Sequence, residues 1–195
     1  MNKNLGVAAV MLAWMPCANA LEWELIEWRA GLAYASGIDD VTDLYERNLD
    51  IEGFDAKVDL KFPLGLTGAV RYDWASGVRG DIGLGPMFFI GGDVDHFELP
   101  LSVTVGYNFL QNADVSPYVR GGLTYHFTSG DYYSSSDPGL FVAAGLDFRH
   151  FALEVAIDRS EVEFDSFACS APGSCQPAAS SLNTYDIIAS FFWRF

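Results

Sequence analysis

The side chains with the most chemistry to offer alternate with apolar ones. Between residues 54 and 62, Asp55, Lys57, Asp59 and Lys61 are interleaved with Phe54, Ala56, Val58, Leu60 and Phe62. A β-strand turns successive side chains to opposite faces, so this segment presents one charged and one apolar face. The same period sets Arg29, Arg71, Asp73, Glu98, Arg120, Asp147, Arg149, Glu154 and Asp158 on polar faces elsewhere, with Asp186 and Arg194 near the end. Charges of both signs facing inward can pair, and buried charges must be paired. The chemistry expected is a satisfied polar interior, or a narrow ion path through rearranging salt bridges. Phe141, Ile188 and Phe192 share the inward parity, so an apolar-solute conduit is a further possibility.

Catalysis has one candidate. His126 is followed by Thr128, Ser129 and Ser134 to Ser136. A hydroxyl, an imidazole and an orienting carboxylate are the minimum for acyl hydrolysis. Parity turns His126 and Thr128 toward the polar face, so no catalytic residue is assigned. Asp39, Asp40 and Asp43 cluster without the spacing of a calcium loop. No cofactor or protein-bound metal is assigned.

Eight strands could position these residues: about 27–36, 52–62, 66–75, 97–109, 117–128, 139–149, 151–162 and 184–195. The apolar segment 82–90 is placed in a loop, because a ninth strand would put the termini on opposite sides. The apolar faces end in aromatics. One expected level holds Trp28, Phe62, Tyr107, Phe109, Phe148, Phe151, Trp193 and Phe195. The other holds Tyr34, Phe54, Tyr72, Trp74, Phe97, Tyr125, Phe127 and Tyr185. Two aromatic girdles around an aliphatic belt predict an all-β, antiparallel, up-and-down transmembrane barrel. It must close, since lipid cannot satisfy a sheet edge. Tiny turns near 63–65 and 149–151, and a modest one near 110–116, are expected on the periplasmic side. Longer connections (37–51, 76–96, 129–138 and 163–183) are expected outside.

The 195 residues carry a formal charge of −15, with 50% hydrophobic residues. That acid excess excludes nucleic acid as a partner, since such binding runs on Lys and Arg. Residues 1–20 read as a secretory signal: Lys3, an apolar run from Leu5 to Met15, then Ala18-Asn19-Ala20. Residues 21–195 form the barrel domain. Loss of Lys3 with the leader takes the net charge from −15 to −16. Cys169 and Cys175 remain, and in an exported chain such a pair forms a disulfide. Most of the acid excess falls in the outer connections, where divalent cations could relieve repulsion against lipopolysaccharide.

The C-terminal Tyr185-x-Ile187-x-Ala189-x-Phe191-x-Trp193-x-Phe195 and the segment Pro117-Tyr118-Val119-Arg120-Gly121-Gly122-Leu123-Thr124-Tyr125 carry a family resemblance. The mature chain resembles the small eight-stranded outer-membrane barrels of Gram-negative bacteria, the OmpA-like, OmpW-like and opacity-type proteins. The resemblance implies a monomer in outer-membrane lipid beside lipopolysaccharide, with both termini periplasmic. It implies that Tyr185, Ile187, Phe191, Trp193 and Phe195 signal to the barrel-assembly machinery. It leaves no room for a periplasmic cell-wall-binding domain. A structural or surface-interaction role is expected. Barrels of this size that deacylate lipid A use an outward His-x-Ser; here Thr128 takes the serine's place.

Overall fold

The computed structural model describes residues 25–52, 58, 64–74, 77–86, 88–92, 95–110, 113–169 and 175–195. The signal segment and Phe54, Asp55, Lys57, Asp59, Lys61 and Phe62 lie outside the described residues.

Nine antiparallel strands form one sheet. They are β1 (Ile26–Ala35), β2 (Leu64–Asp73), β3 (Val78–Leu84), β4 (Phe88–Ile90), β5 (His96–Asn108), β6 (Val115–Gly130), β7 (Tyr133–Phe148), β8 (Phe151–Cys169) and β9 (Cys175–Arg194). The sheet closes where β9 returns to β1, with Arg194 opposite Arg29 and Ile188 opposite Ala35. Strands β3 and β4 pair with successive stretches of β5: Leu84 lies opposite Leu101, and Phe88 opposite Glu98. They form one interrupted stave, so the nine strands make an eight-staved closed barrel.

The count of eight agrees with the sequence reading, but one stave is exchanged. Strand β1 pairs directly with β2 through Trp28–Val70 and Tyr34–Leu64. No stave drawn from 52–62 stands between them. Val58 makes only an isolated bridge to Gly92. The missing stave is β3 with β4, the region expected to be a loop. This shifts the turns. Leu64 and Gly65 lie at the end of the barrel far from the termini, and a tight turn around Trp74 and Gly77 lies near the termini; the Gly77 N–H donates to Trp74 O at 3.1 Å. Gly77 has φ of 87°, which suits a residue without a Cβ. Two expected long loops are strand instead: β6 and β7 meet at Asp131–Tyr132, and β8 with β9 reaches Cys169 opposite Cys175. The two cysteine side chains lie outside the described residues.

Burial follows parity. Leu66, Val105, Leu140, Val142 and Val155 face out and are mostly exposed, whereas Arg29, Arg79, Glu98, Arg120 and Asp158 face in and are buried. An apolar belt around the whole perimeter far exceeds the patches that soluble monomers tolerate. Rings cluster at its edges. Trp28, Tyr107, Phe109, Phe148, Phe151, Trp193 and Phe195 lie toward the termini; Phe148 stacks on Phe151 at 4.4 Å. Tyr72 and Trp74 join this end, not the far one, because β2 runs downward. Tyr34, Phe97, Tyr125 and Phe127 lie toward the far end.

One helix departs from the all-strand expectation. Residues Ile38–Glu52 form α1. Val41, Leu44, Tyr45, Asn48 and Leu49 are buried while Asp40, Asp43, Arg47 and Asp50 are exposed, which is the stripe of an amphipathic helix. Acidic Asp40 in its first turn complements the positive end of the helix dipole. The buried stripe packs against Phe141, Ala143, Ala156, Val162, Phe164 and Ile188, capping the far mouth of the barrel.

Candidate functional site

The lumen is the one interior that every stave reaches, and its polar side chains fall into two tiers. The tier nearer the termini is built on Asp147 of β7. Its Oδ1 accepts from Arg29 Nη2 at 2.7 Å, and its Oδ2 accepts from Arg71 Nη1 at 2.5 Å and Arg79 Nη1 at 3.4 Å. Each arginine also holds a carboxylate two residues away on its own strand. Arg29 Nε donates to Glu27 at 2.6 Å, Arg71 Nε to Asp73 at 2.7 Å, and Arg79 binds Asp81 through two nitrogens at 2.9 and 2.5 Å. Arg194 binds Glu27 and donates to Phe148 O at 2.5 Å, tying the last strand to the first.

Above them Arg120 grips Glu154 in a fork, at 2.7 and 2.6 Å, and donates to Thr104 at 3.1 Å. Tyr118 O–H donates to the same carboxylate at 2.8 Å while its ring lies 4.0 Å beneath the Arg79 guanidinium. Gly145 makes room for that phenol, since a Cβ there would stand 2.5 Å from it. Five arginines (29, 71, 79, 120 and 194) thus face five carboxylates (27, 73, 81, 147 and 154). Removing such ions from water costs several kcal/mol each, and only dense pairing with further hydrogen bonds offsets that.

The second tier lies under α1. Tyr45 reaches down from the helix and donates to Asp131 O at 2.5 Å; its oxygen is 2.9 Å from His96 Nδ1. Burial first, then the nearby Asp131 and Glu98, push the Tyr45 phenol up, so it remains a neutral donor. His96 Nε2 is 3.5 Å from Glu98 Oε2. Glu98 Oε1 makes a short contact with His126 Nδ1, and His126 Nε2 lies 3.2 Å from Asp158 Oδ2, which also accepts from Thr124 at 3.0 Å. Asp186 stands directly opposite Asp158 across the β8–β9 pair. Among the described residues, no group of three or more His, Cys, Asp or Glu is disposed to hold a metal ion.

No family model and no curated sequence matches the chain. Solved structures do. The outer membrane protein OprG from Pseudomonas aeruginosa matches with a TM-score of 0.50 at 14% identity, over 87% of this chain and 95% of that one. Neisserial surface protein A gives 0.49 at 15% identity, over 87% and 95%. Outer membrane protein AlkL gives 0.47 at 15%, over 87% and 90%.

The fold is that of a small outer-membrane β-barrel.

Of the lumen residues named from the sequence, this barrel gathers Arg29, Arg71, Asp73, Asp147, Arg120 and Glu154 in the first tier, and Glu98 and Asp158 in the second. Arg149 is a correction. Strand β7 ends at Phe148, and Arg149 with His150 makes the exposed turn to β8, so strand parity no longer applies to it. Sequence reasoning missed Glu27, at the very start of the first expected strand, and Arg79 and Asp81, in an expected outer connection. Their signal was the period-two spacing of Arg79-x-Asp81 between Val78, Ile82 and Leu84, diluted by glycines. His96 and Tyr45 were missed because each lies on an element read as loop or loop edge.

Proposed function

We propose that the protein is an exported bacterial outer-membrane barrel with a structural or surface-interaction role and no open channel. The observation that carries this reading is the lumen. Asp147 draws Arg29, Arg71 and Arg79 together from three staves, and α1 closes the far mouth above them. A barrel of eight staves has space for side chains or one small ligand, and here side chains take it. In this reading residues 1–20 are the export signal. The termini face the periplasm, and strand β9 is the segment read by the assembly machinery. The far rim, with α1 and the tall β8–β9 hairpin, is the surface offered to partners. The occupied state of His126 supports a non-enzymatic role: both ring nitrogens face carboxylates, leaving neither for a hydroxyl nucleophile.

The test is electrophoretic mobility of outer-membrane fractions with and without boiling, joined to bilayer recording. A folded barrel runs anomalously until heated, and no conductance above background is expected. Recovery in the soluble periplasmic fraction would overturn the reading. In the same preparation, alkylation of Cys169 and Cys175 should occur only after reduction; free labelling without reductant would remove the proposed disulfide.

One observation favours a second reading, a lateral path for small apolar solutes. The β2–β3 register runs only from Gly68–Leu84 to Asp73–Arg79, and the stave breaks at Gly85–Pro86 before β4. Beside the polar tier under α1 lies an apolar patch of Phe141, Val162, Phe164 and Ile188. A hydrophobic fluorescent probe that binds the wild type and is lost with Phe141→Glu would favour this reading over the first.

A further inference from the structure

Strand β9 outruns its neighbour on one side. It pairs with β8 without a break from Trp193–Phe151 to Cys175–Cys169, but with β1 only from Arg194–Arg29 to Ile188–Ala35. Beyond Ser36 the chain leaves the wall. A Cβ on Gly37 would stand 1.5 Å from Oδ1 of the buried Asp186, and α1 begins at the next residue. Val58, the next residue described after the helix, bridges to Gly92 beyond β4. Among the described residues, no strand continues the place of β1 beside the upper half of β9.

The backbone groups of β9 alternate in direction. Ile187 O accepts from the Ser36 N–H at 3.2 Å, and the Phe195 N–H donates to Trp28 O at 2.9 Å, both toward β1. The Arg194 N–H instead donates to His150 O at 3.1 Å, toward β8. Odd residues therefore bond on the β1 side and even residues on the β8 side. Carried up the unbroken register, the N–H and C=O of Ala179, Ser181, Asn183 and Tyr185 point to the open side. Pro177, one step higher on the same side, has no N–H and ends the run of donors. The other edge of this hairpin is covered at the same height: the Asp165 N–H donates to Tyr132 O at 2.6 Å, and Asp165 O accepts from Asn48 Nδ2 at 3.3 Å. A row of unpaired backbone donors and acceptors is a template for another strand.

We propose, resting on the surface-interaction reading above, that this edge takes an extended segment of another protein as an added strand, and that the segment carries basic residues on its outward face. Main-chain hydrogen bonds give such pairing its affinity, and rows of alternate side chains give its specificity. At this height β8 turns Arg159, Glu161, Glu163 and Asp165 outward, and Asp137 of β7 stands directly opposite Glu161, so four acids outweigh one base on that face. A strand added to β9 lies two strand spacings from β8, roughly 10 Å, which is about one Debye length at 0.1 M salt. Lysine or arginine on its outward face reaches further toward those acids. Val162 and Phe164 of β8 turn inward and are buried, so the alternate residues of the added strand sit on an apolar side. The segment that fits is basic outward and apolar inward, with period two.

The experiment joins backbone amide exchange to peptide titration on the full-length folded protein in lipid nanodiscs, with heat-modifiable mobility certifying the fold. In the free protein the amides of Ser180, Leu182 and Thr184 should be protected, and those of Ala179, Ser181, Asn183 and Tyr185 should exchange freely. Protection of both sets at every protein concentration would overturn the proposal, because the chain then covers its own edge. Protection that grows with protein concentration would overturn it in favour of a second copy. The probe is a synthetic decapeptide of alternating lysine and valine, labelled for fluorescence anisotropy. It should protect the four open amides and bind less tightly as salt rises. Ser181→Pro removes one donor from the open edge and none from the β8 side, and should weaken binding about fivefold, the worth of one hydrogen bond. Asn183→Pro supplies the same comparison if Ser181→Pro does not assemble. Glu163→Lys should weaken binding too. Wild-type affinity in the proline variant, or equal binding of a glutamate–valine decapeptide, would overturn the proposal. The closed-barrel reading stands or falls separately, on mobility and conductance.

Discussion

Asp147→Ala should be the most damaging single substitution in the lumen. It leaves Arg29, Arg71 and Arg79 around a void, each buried and each short of the acceptor it shared. Removing one partner of a buried ion pair costs roughly 3–5 kcal/mol, because the charge left behind stays desolvated. Here three guanidiniums lose one carboxylate, so the upper part of that range is expected. Glu27, Asp73 and Asp81 soften the loss by keeping one bond to each arginine. Urea unfolding of the barrel in lipid vesicles, followed by gel mobility, measures it. Raising the salt concentration should not restore the variant, since buried pairs are little screened. Replacing Asp43 on the exposed face of α1 should stay within about 0.5 kcal/mol of the wild type. A loss of similar size at Asp147 would mean that water already solvates the lower tier.

The second large effect is on the outer wall. Val142 projects outward from the middle of β7, between Gly121 and Ile157, and is 60% exposed. On a water-facing strand, Val142→Arg would change stability by no more than about 0.5 kcal/mol. In the middle of a bilayer the same change costs roughly 2–4 kcal/mol. The same unfolding titration therefore decides what the apolar belt touches. We expect the larger value, and a smaller one for arginine nearer the girdle, at Tyr107 or Trp193.

The barrel itself was legible because alternation is strong wherever one face meets apolar surroundings and the other a packed polar interior. The exchange of one stave shows where alternation misleads. Residues 54–62 have the cleanest period in the chain, yet the ring closes without them. The stave that does close it, β3, reads poorly because Gly80 takes an outward position. The Trp74 ring covers that position, 3.0 Å from where a Cβ would be. A neighbour supplies the apolar surface, so the strand's own sequence does not show it. Helix α1 did carry its pattern, Val41, Leu44, Tyr45 and Leu49 at helical spacing, inside a connection expected to be loop. The ion pairs were less legible than the parity. Alternation tells which residues face inward, but strand stagger decides which of them meet. Arg71 reaches Asp147 from across the ring, and Arg194 finds Glu27 through the seam.

That seam has a kinetic consequence. Strands β1 and β9 are sequence-distant neighbours, joined by their backbone register, by Arg194 to Glu27 and by the Phe195 N–H to Trp28 O at 2.9 Å. Every other stave can zip onto one that precedes it, whereas this pairing must wait for β9, which emerges after all the others. Contacts at such separation make folding slow, because loop-closure entropy is spent before they form. Until then two open edges exist that hydrocarbon cannot satisfy. One edge of β1 must therefore stay open the longest, and the rate at which the protein matures is set by how β1 and β9 are brought together.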